Sequence, residues 1–240
     1  MQTGELVKTL TLDGGYTKAL EFSSDGKYIF AGTTLGVIEM WNLESGNKVK
    51  TFTGHKDEIR SIACSGTESM FATCSVDQTV KLWDISTGAI LKDLRNHTAP
   101  VYTVFLSKDS SILLSGSADR LMKVWDVATG NEINLPKGHL AEVTALALNS
   151  NNLSSGSNDK NTKVWDNISG NEISSFGDME VSFITFSQDG KYVATGTWDV
   201  IRIWEKFTGK MIRELREHSN VVRWLKFTKD GKFLYSASLD

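Results

Sequence analysis

A β-rich fold built from one repeated unit of four short strands is predicted by three observations on the 240-residue sequence. Trp41, Trp83, Trp125, Trp165 and Trp204 recur at intervals of 42, 42, 40 and 39 residues. His55, His97 and His139 recur every 42, and His218 lies 79 further on, close to two periods. Asp77, Asp119 and Asp159 each precede their Trp by six residues, and Asp199 precedes Trp204 by five. Three residue types locked in one phase mark an internal repeat of roughly 40 residues, the period of stacked or radially arranged units.

Within a period the texture is strand, turn, strand. In the third unit VYTVFLS is followed by KDSS, ILLSGS, ADR, LMKVWD and ATGNE. Apolar and small residues dominate the strands, with no sustained 3.6-residue stripe. Asp25-Gly26-Lys27, Asp189-Gly190-Lys191 and Asp230-Gly231-Lys232 separate the first two strands, because Gly tolerates the positive φ of a tight turn. Ser45-Gly46-Asn47, Thr87-Gly88, Thr129-Gly130-Asn131, Ser169-Gly170-Asn171 and Thr208-Gly209 mark the turn into the fourth. Each unit thus supplies strands a to d. A lone four-stranded sheet cannot bury both faces, and radial stacking solves this while limiting exposed edges. The predicted fold class is an all-β propeller of four-stranded antiparallel blades, five complete plus a partial sixth. The blades fall at 13–53, 54–95, 96–136, 137–176, 177–216 and, in part, 217–240.

Composition narrows the function classes. Lys plus Arg number 26 and Asp plus Glu 29, so a net charge of −3 gives no global drive toward nucleic acid or an anionic membrane. No run approaches the ~20 apolar residues of a membrane span, and MQTGELVKTL lacks a secretory profile. Cys64 and Cys74 are too few for a disulfide framework or a four-thiolate zinc site. They read as buried small hydrophobes of an intracellular protein, cytoplasmic or nuclear.

The motifs themselves are LWD at 82–84, VWD at 124–126 and VWD at 164–166, preceded by Gly54-His55, the variant Asn96-His97 and Gly138-His139. Trp41-Asn42 and Trp204-Glu205 are weaker versions, and Trp198-Asp199 is a decoy whose Asp fills the b–c turn. On these residues the chain resembles the WD-repeat β-propeller family over nearly its whole length. The resemblance implies a hydrogen-bonded set of loop His, strand-b Ser or Thr, turn Asp and strand-c Trp in each blade. Those sets are His55–Thr73–Asp77–Trp83, His97–Ser115–Asp119–Trp125 and His139–Ser155–Asp159–Trp165. A buried Asp needs donors, and these are the available types. Units one and five depart from the pattern. Asp13 and Asp178 occupy the His slot, and Ala31 and Leu35 replace the hydroxyl residue and the turn Asp of unit one. Asp178 near Asp199 would place two carboxylates together, so Asp178 is expected to turn to solvent or its loop to be rebuilt.

Residues 4–12, GELVKTLTL, match the strand-d segment GNKVKTF at 46–52. The resemblance implies that such a strand closes the final blade. Unit six holds VVRWLKF and KFLYSAS and reaches Asp240 in its b–c turn, so the ring is expected to be truncated at the C-terminus.

Catalytic signals fail on inspection. His139, Ser155 and Asp159 have the types of a hydrolase triad, but the trio recurs in three units and no G-x-S-x-G is present. The four His belong to different blades, too far apart to ligate one metal. No phosphate loop, cofactor motif or small-molecule substrate site is recognised, and the chain is expected not to be an enzyme. Binding remains. The d–a and b–c loops converge on the narrow face of a propeller, where residues are free to vary. The rim positions are those three and five after the His slot and the one before the turn Asp. Among them Tyr16, Lys18, Arg60, Tyr102, Trp198 and Arg223 are the types enriched at binding hot spots. With Glu58, Glu142 and Glu180 the rim is mixed in charge, which suits a peptide or protein loop better than a nucleic-acid backbone. The expected function is a non-catalytic interaction scaffold. The alternative is a sensor or substrate-receptor module of a larger regulatory protein of ATPase or ubiquitin-ligase adaptor type.

Overall fold

The computed structural model describes residues 6–67, 69–133, 138–149, 152–167 and 169–240. Twenty-two strands and no helix occur among them. Blade 1 comprises β1 (Thr17–Phe22), β2 (Tyr28–Thr33), β3 (Val37–Asn42) and β4 (Lys48–Thr53). Blade 2 comprises β5 (Ile59–Cys64), β6 (Met70–Ser75), β7 (Val80–Asp84) and β8 (Ile90–Leu94). Blade 3 follows as β9 (Val101–Leu106), β10 (Ile112–Ser117), β11 (Met122–Asp126) and β12 (Glu132–Ile133). Blade 4 runs through β13 (Val143–Leu148), β14 (Asn152–Ser157), β15 (Thr162–Asp166) and β16 (Glu172–Phe176). Blade 5 is formed by β17 (Phe183–Phe186), β18 (Tyr192–Gly196), β19 (Ile201–Glu205) and β20 (Met211–Leu215). The sixth sheet holds only β21 (Val222–Phe227) and β22 (Leu234–Ser238).

Every sheet is an antiparallel meander in sequence order. Strands a of successive blades lie against one another, so they form the innermost ring. Strands b and c are the buried layers, and strands d are largely exposed at the outside. The core sits between neighbouring sheets. Phe30, Ile38 and Phe52 of blade 1 pack on Ile59, Ile62, Phe71 and Trp83 of blade 2. The Phe30 and Phe71 rings are 4.7 Å apart, and Phe71 stacks on Trp83. Strand b passes so close to the next blade that its penultimate stretch has room only for small residues. A Cβ on Gly116 would come within 2.7 Å of Val143, and one on Gly156 within 2.5 Å of Val181.

The Asp-Gly turns are wider than two-residue hairpins. Gly26 has φ 71°, its amide bonds the Ser23 carbonyl, and Asp25 accepts from the Ser23 hydroxyl and the Lys27 amide. The seams between blades 1 and 2 and between blades 2 and 3 are apolar at the c–d turn, where Ile85 and Val127 join neighbouring clusters. The seam between blades 4 and 5 differs: buried Lys206 donates to buried Asn152 at 2.6 Å.

The expected closing strand at 4–12 is corrected in part. Residues 4 and 5 lie outside the described residues, and 6–12 form no strand. Strand d pairs with strand c in each complete blade, and the sixth sheet holds only strands a and b. Residues 6–12 nevertheless run along blade 1. Lys8 donates to the Leu43 and Glu44 carbonyls, as Lys50 does to those of Ile85 and Ser86 one blade on.

Candidate interaction surface

The rim loops are held by buried relays. In blade 2 the Trp83 indole donates to Thr73 Oγ1 at 2.8 Å. Thr73 Oγ1 is 2.7 Å from His55 Nε2, and His55 Nδ1 is 2.8 Å from Asp77. Because the indole must donate, the hydroxyl hydrogen passes to Nε2 and the Nδ1–H donates to the carboxylate. Asp77 also accepts from the amides of Lys56, in the d–a loop, and Thr79, in its own turn. One carboxylate thereby ties both loops together. Blade 3 repeats this through Trp125, Ser115, His97 and Asp119, and blade 4 through Trp165, Ser155, His139 and Asp159. The indole meets the hydroxyl residue and not the Asp, so the set is a chain and not a cluster around the carboxylate.

Burial pushes the Asp159 carboxyl up, but the amides of Leu140 and Asn161 and the His139 ring outweigh it and hold it below its usual range. Burial likewise lowers the His139 imidazole, against the pull of Asp159. Ser155 has the bonding of a triad serine but is 0% exposed, and its oxygen also accepts the Trp165 indole. No substrate can reach it, and the same arrangement in blades 2 and 3 marks it as architecture.

The two departing units solve the problem differently. In blade 1 buried Glu39 accepts the Trp41 indole at 3.2 Å and the Asp13 amide at 3.1 Å. In blade 5 Trp204 donates to Thr195, while Asp178 turns outward to pair with Arg202, itself bonded to Glu214. The sequence signal for Glu39 was available: strand c carries Lys81, Lys123, Lys163 and Arg202 at the matching place in blades 2 to 5.

On these supports the rim positions meet. The Val76, Ala118 and Asn158 amides donate to the carbonyls of Glu58, Pro100 and Glu142, joining b–c turn to d–a loop. Lys18, Arg60 and Tyr102 come together across blades 1 to 3. Lys18 Nζ is 4.0 Å and Arg60 Nη1 2.7 Å from the Glu58 carboxylate, and the Arg60 guanidinium lies 5.2 Å from the Tyr102 ring centre. Glu58, one of the acids of the mixed-charge rim, bridges Lys18 and Arg60. Tyr16 is 80% exposed on blade 1, its amide held by Thr34. Trp198 is 67% exposed on blade 5. Its turn is one residue short, and the Thr197 amide closes on Val200. Arg223 is exposed on β21. No contact joins Trp198 or Arg223 to the Lys18–Arg60–Tyr102 group among the described residues. At the equivalent positions of blades 4 and 5 Thr144 and Ser182 are inter-blade latches, their hydroxyls donating to the Val181 and Val222 carbonyls. At this one register position the rim is therefore large-residued over blades 1 to 3 and sealed by small hydroxyls over 4 and 5.

At the far end of the strands a, a hollow of about 500 Å³ is lined by Glu21, Cys64, Leu106, Lys108 and Lys226, among others. Burial pushes the Glu21 carboxyl up to about 7, with the Lys226 ammonium pulling the other way. Among the described residues no group of three or more His, Cys, Asp or Glu is placed to hold a metal, and no helix is long and apolar enough to cross a membrane.

Comparison with known proteins agrees with the repeat. The family described as "WD domain, G-beta repeat" matches residues 46–84, 88–126, 130–166, 170–205 and 209–240. The chain is 46% identical over 57 residues to WD repeat and SOCS box-containing protein 1 of Xenopus tropicalis, 23% of this chain and 14% of that protein. It is 30% identical over 69 residues to Set1 complex component swd1 of Schizosaccharomyces pombe, 29% of this chain and 17% of that protein. It is 36% identical over 55 residues to the human U3 small nucleolar RNA-interacting protein 2, 22% of this chain and 12% of that protein. The chain thus spans less than a fifth of the length of each of these relatives. Proteins built from such repeats generally act as interaction scaffolds and are typically not enzymes. Five phased matches, each running from a strand d into the following sheet and four of them ending at a buried strand-c indole, place this chain in the WD domain, G-beta repeat family.

Proposed function

We propose that this chain is a non-catalytic scaffold that binds a peptide or protein loop on the face formed by its d–a and b–c loops. The observation that carries the reading is Arg60 held between Glu58 and Tyr102, beside Lys18, at the open end of the strand-a ring. A guanidinium oriented by a carboxylate and an aromatic face loses little freedom on binding, and Arg and Tyr are typical anchors. Tyr16 and Trp198 add exposed aromatic area on blades 1 and 5. Affinity capture with the wild-type chain and with Arg60→Ala, Tyr102→Ala and Trp198→Ala tests it. Partners lost with Arg60→Ala and Tyr102→Ala support the reading, and an unchanged set of partners removes it.

A second reading, a sensor or substrate-receptor module within a larger assembly, draws on relatives whose names include a SOCS box and a Set1 complex. It predicts that the captured partners form one stable complex of fixed composition. Nucleic-acid binding, suggested by the U3 relative, predicts affinity falling steeply with salt and lost with Lys18→Ala and Arg223→Ala.

A further inference from the structure

Blade 5 keeps the two ends of the buried relay and lacks its middle. Thr195 Oγ1 accepts the Trp204 indole at 2.9 Å, and Asp199 follows Thr195 by four residues, as Asp77 follows Thr73. No His stands between them. The d–a loop between Phe176 and Val181 holds four residues, none of them a His, against six between Leu94 and Val101 at the same register. A cleft is left there, in the seam between two complete sheets, lined by Thr162, Asp178, Met179, Thr195 and Trp204 among others. Its polar groups are unpaired. Thr162 is 1% exposed, and its hydroxyl has no hydrogen-bond partner among the described residues. The other complete blades carry Ile38, Val80, Met122 and Ile201 at that place. Among the described residues the buried Thr195 hydroxyl hydrogen has no acceptor, and the half-buried Asp199 carboxylate has no donor.

We propose that this cleft receives the imidazole of a histidine carried by the bound peptide or protein loop. The inference rests on the scaffold reading above and names one residue of the partner. Neutral imidazole offers one acceptor and one donor, the two groups missing between Thr195 and Asp199. The same structure shows three times what fills such a slot. In blades 2 to 4 one ring nitrogen lies 2.7 Å from the strand-b hydroxyl and the other 2.7–2.9 Å from the turn Asp. Thr162 adds a further hydroxyl where the other seams are apolar. As it stands the cleft is too narrow for a ring, and Met179 on its wall is the unbranched side chain whose rotation widens it. Trp198, 67% exposed, stands next to Asp199 on the b–c turn and supplies apolar area for the segment that bears the histidine.

Imidazole itself is the probe, at about pH 8, where it is neutral. Titrated into the isotope-labelled 240-residue chain, it should shift the indole resonance of Trp204, assigned with Trp204→Phe. Binding should saturate with millimolar affinity, as fits so small a ligand. N-Methylimidazole keeps the acceptor and lacks the N–H, so it should bind about five- to tenfold more weakly, the effect of losing one hydrogen bond. Thr195→Val should abolish binding. Asp199→Ala should weaken it as N-methylation does while leaving the indole bond of the blade in place, and Met179→Ala should tighten it. An unmoved Trp204 resonance, or equal binding of N-methylimidazole or acetamide, overturns the proposal. Partners held by the wild-type chain should be released by imidazole and retained in N-methylimidazole at the same concentration. Partners lost with Arg60→Ala yet indifferent to imidazole overturn this inference and leave the scaffold reading standing. Arg60→Ala should leave imidazole binding unchanged, which separates the cleft from the rim.

Discussion

The Trp41 indole donates to the Glu39 carboxylate, two residues earlier on the same strand, and not to a strand-b hydroxyl. Glu39 is 2% exposed, and Lys48 stands 3.8 Å away on strand d. Blades 3 and 4 carry the reverse polarity at these places, Lys123 with Glu132 and Lys163 with Glu172. Glu39→Lys should therefore cost about 3–5 kcal/mol, because it leaves an ammonium at a buried position without an acceptor and next to that of Lys48. Adding Lys48→Glu should restore at least half of the loss. Urea unfolding of the two variants checks it, and an unrescued double variant would place the cost in the lost acceptor of the Trp41 indole and the Asp13 amide.

The relay through Ser115 makes a sharper test of the buried sets. Ser115→Ala strands both the Trp125 indole and the His97 ring in a dry seam, so it should cost about 2–3 kcal/mol. Trp125→Phe in the Ser115→Ala background should cost less than in the wild type, since its hydrogen bond is already gone. A double-mutant cycle reads the difference directly.

Gly116 meets Val143 of the next blade across a gap too narrow for a methyl group. Gly116→Ala should destabilise by about 1–3 kcal/mol through overpacking. Val143→Ala in the same chain should recover part of it, as measured by thermal melting.

Acid should loosen the protein in two stages. The His139 imidazole is lowered in the folded state, so the unfolded chain takes up its proton first and stability falls as pH drops through about 6.5. Asp159 is also lowered when folded, so a second loss follows below about pH 4. Glu21 has the opposite sign. Raised to about 7, it keeps its proton when folded, and its contribution is lost as pH rises from about 4.3 toward 7. Glu21→Gln should gain about 1–2 kcal/mol at pH 8 and nearly nothing at pH 4.5. Equal effects at both pH values would mean that Glu21 titrates like an exposed carboxylate.

Strand order, turn positions and the phase of the buried indoles were legible because each is carried by a residue type that recurs in register. The decoy Trp198 was separable from Trp204 by the same count. What escaped was pairwise. Glu39 serves Trp41 because a charge is reversed relative to other blades, and Glu58 serves both Lys18 and Arg60 because two neighbouring blades bring them to one rim. A periodic pattern reports which face a residue takes and not which neighbour it meets. Thr144 and Ser182, at the places that Arg60 and Tyr102 take in blades 2 and 3, seal seams, since a short hydroxyl there reaches only the next carbonyl. The segment 6–12 had the composition of a strand, but composition does not supply the neighbour that a strand must pair with.

Look-alike sheets carry a hazard during folding, because any one could nestle beside any other. Lys206 and Asn152 give the fourth seam an address of its own. Seated against the wrong neighbour, the ammonium would meet grease in place of an amide oxygen, and the mistake would undo itself before the rest of the wheel assembled around it.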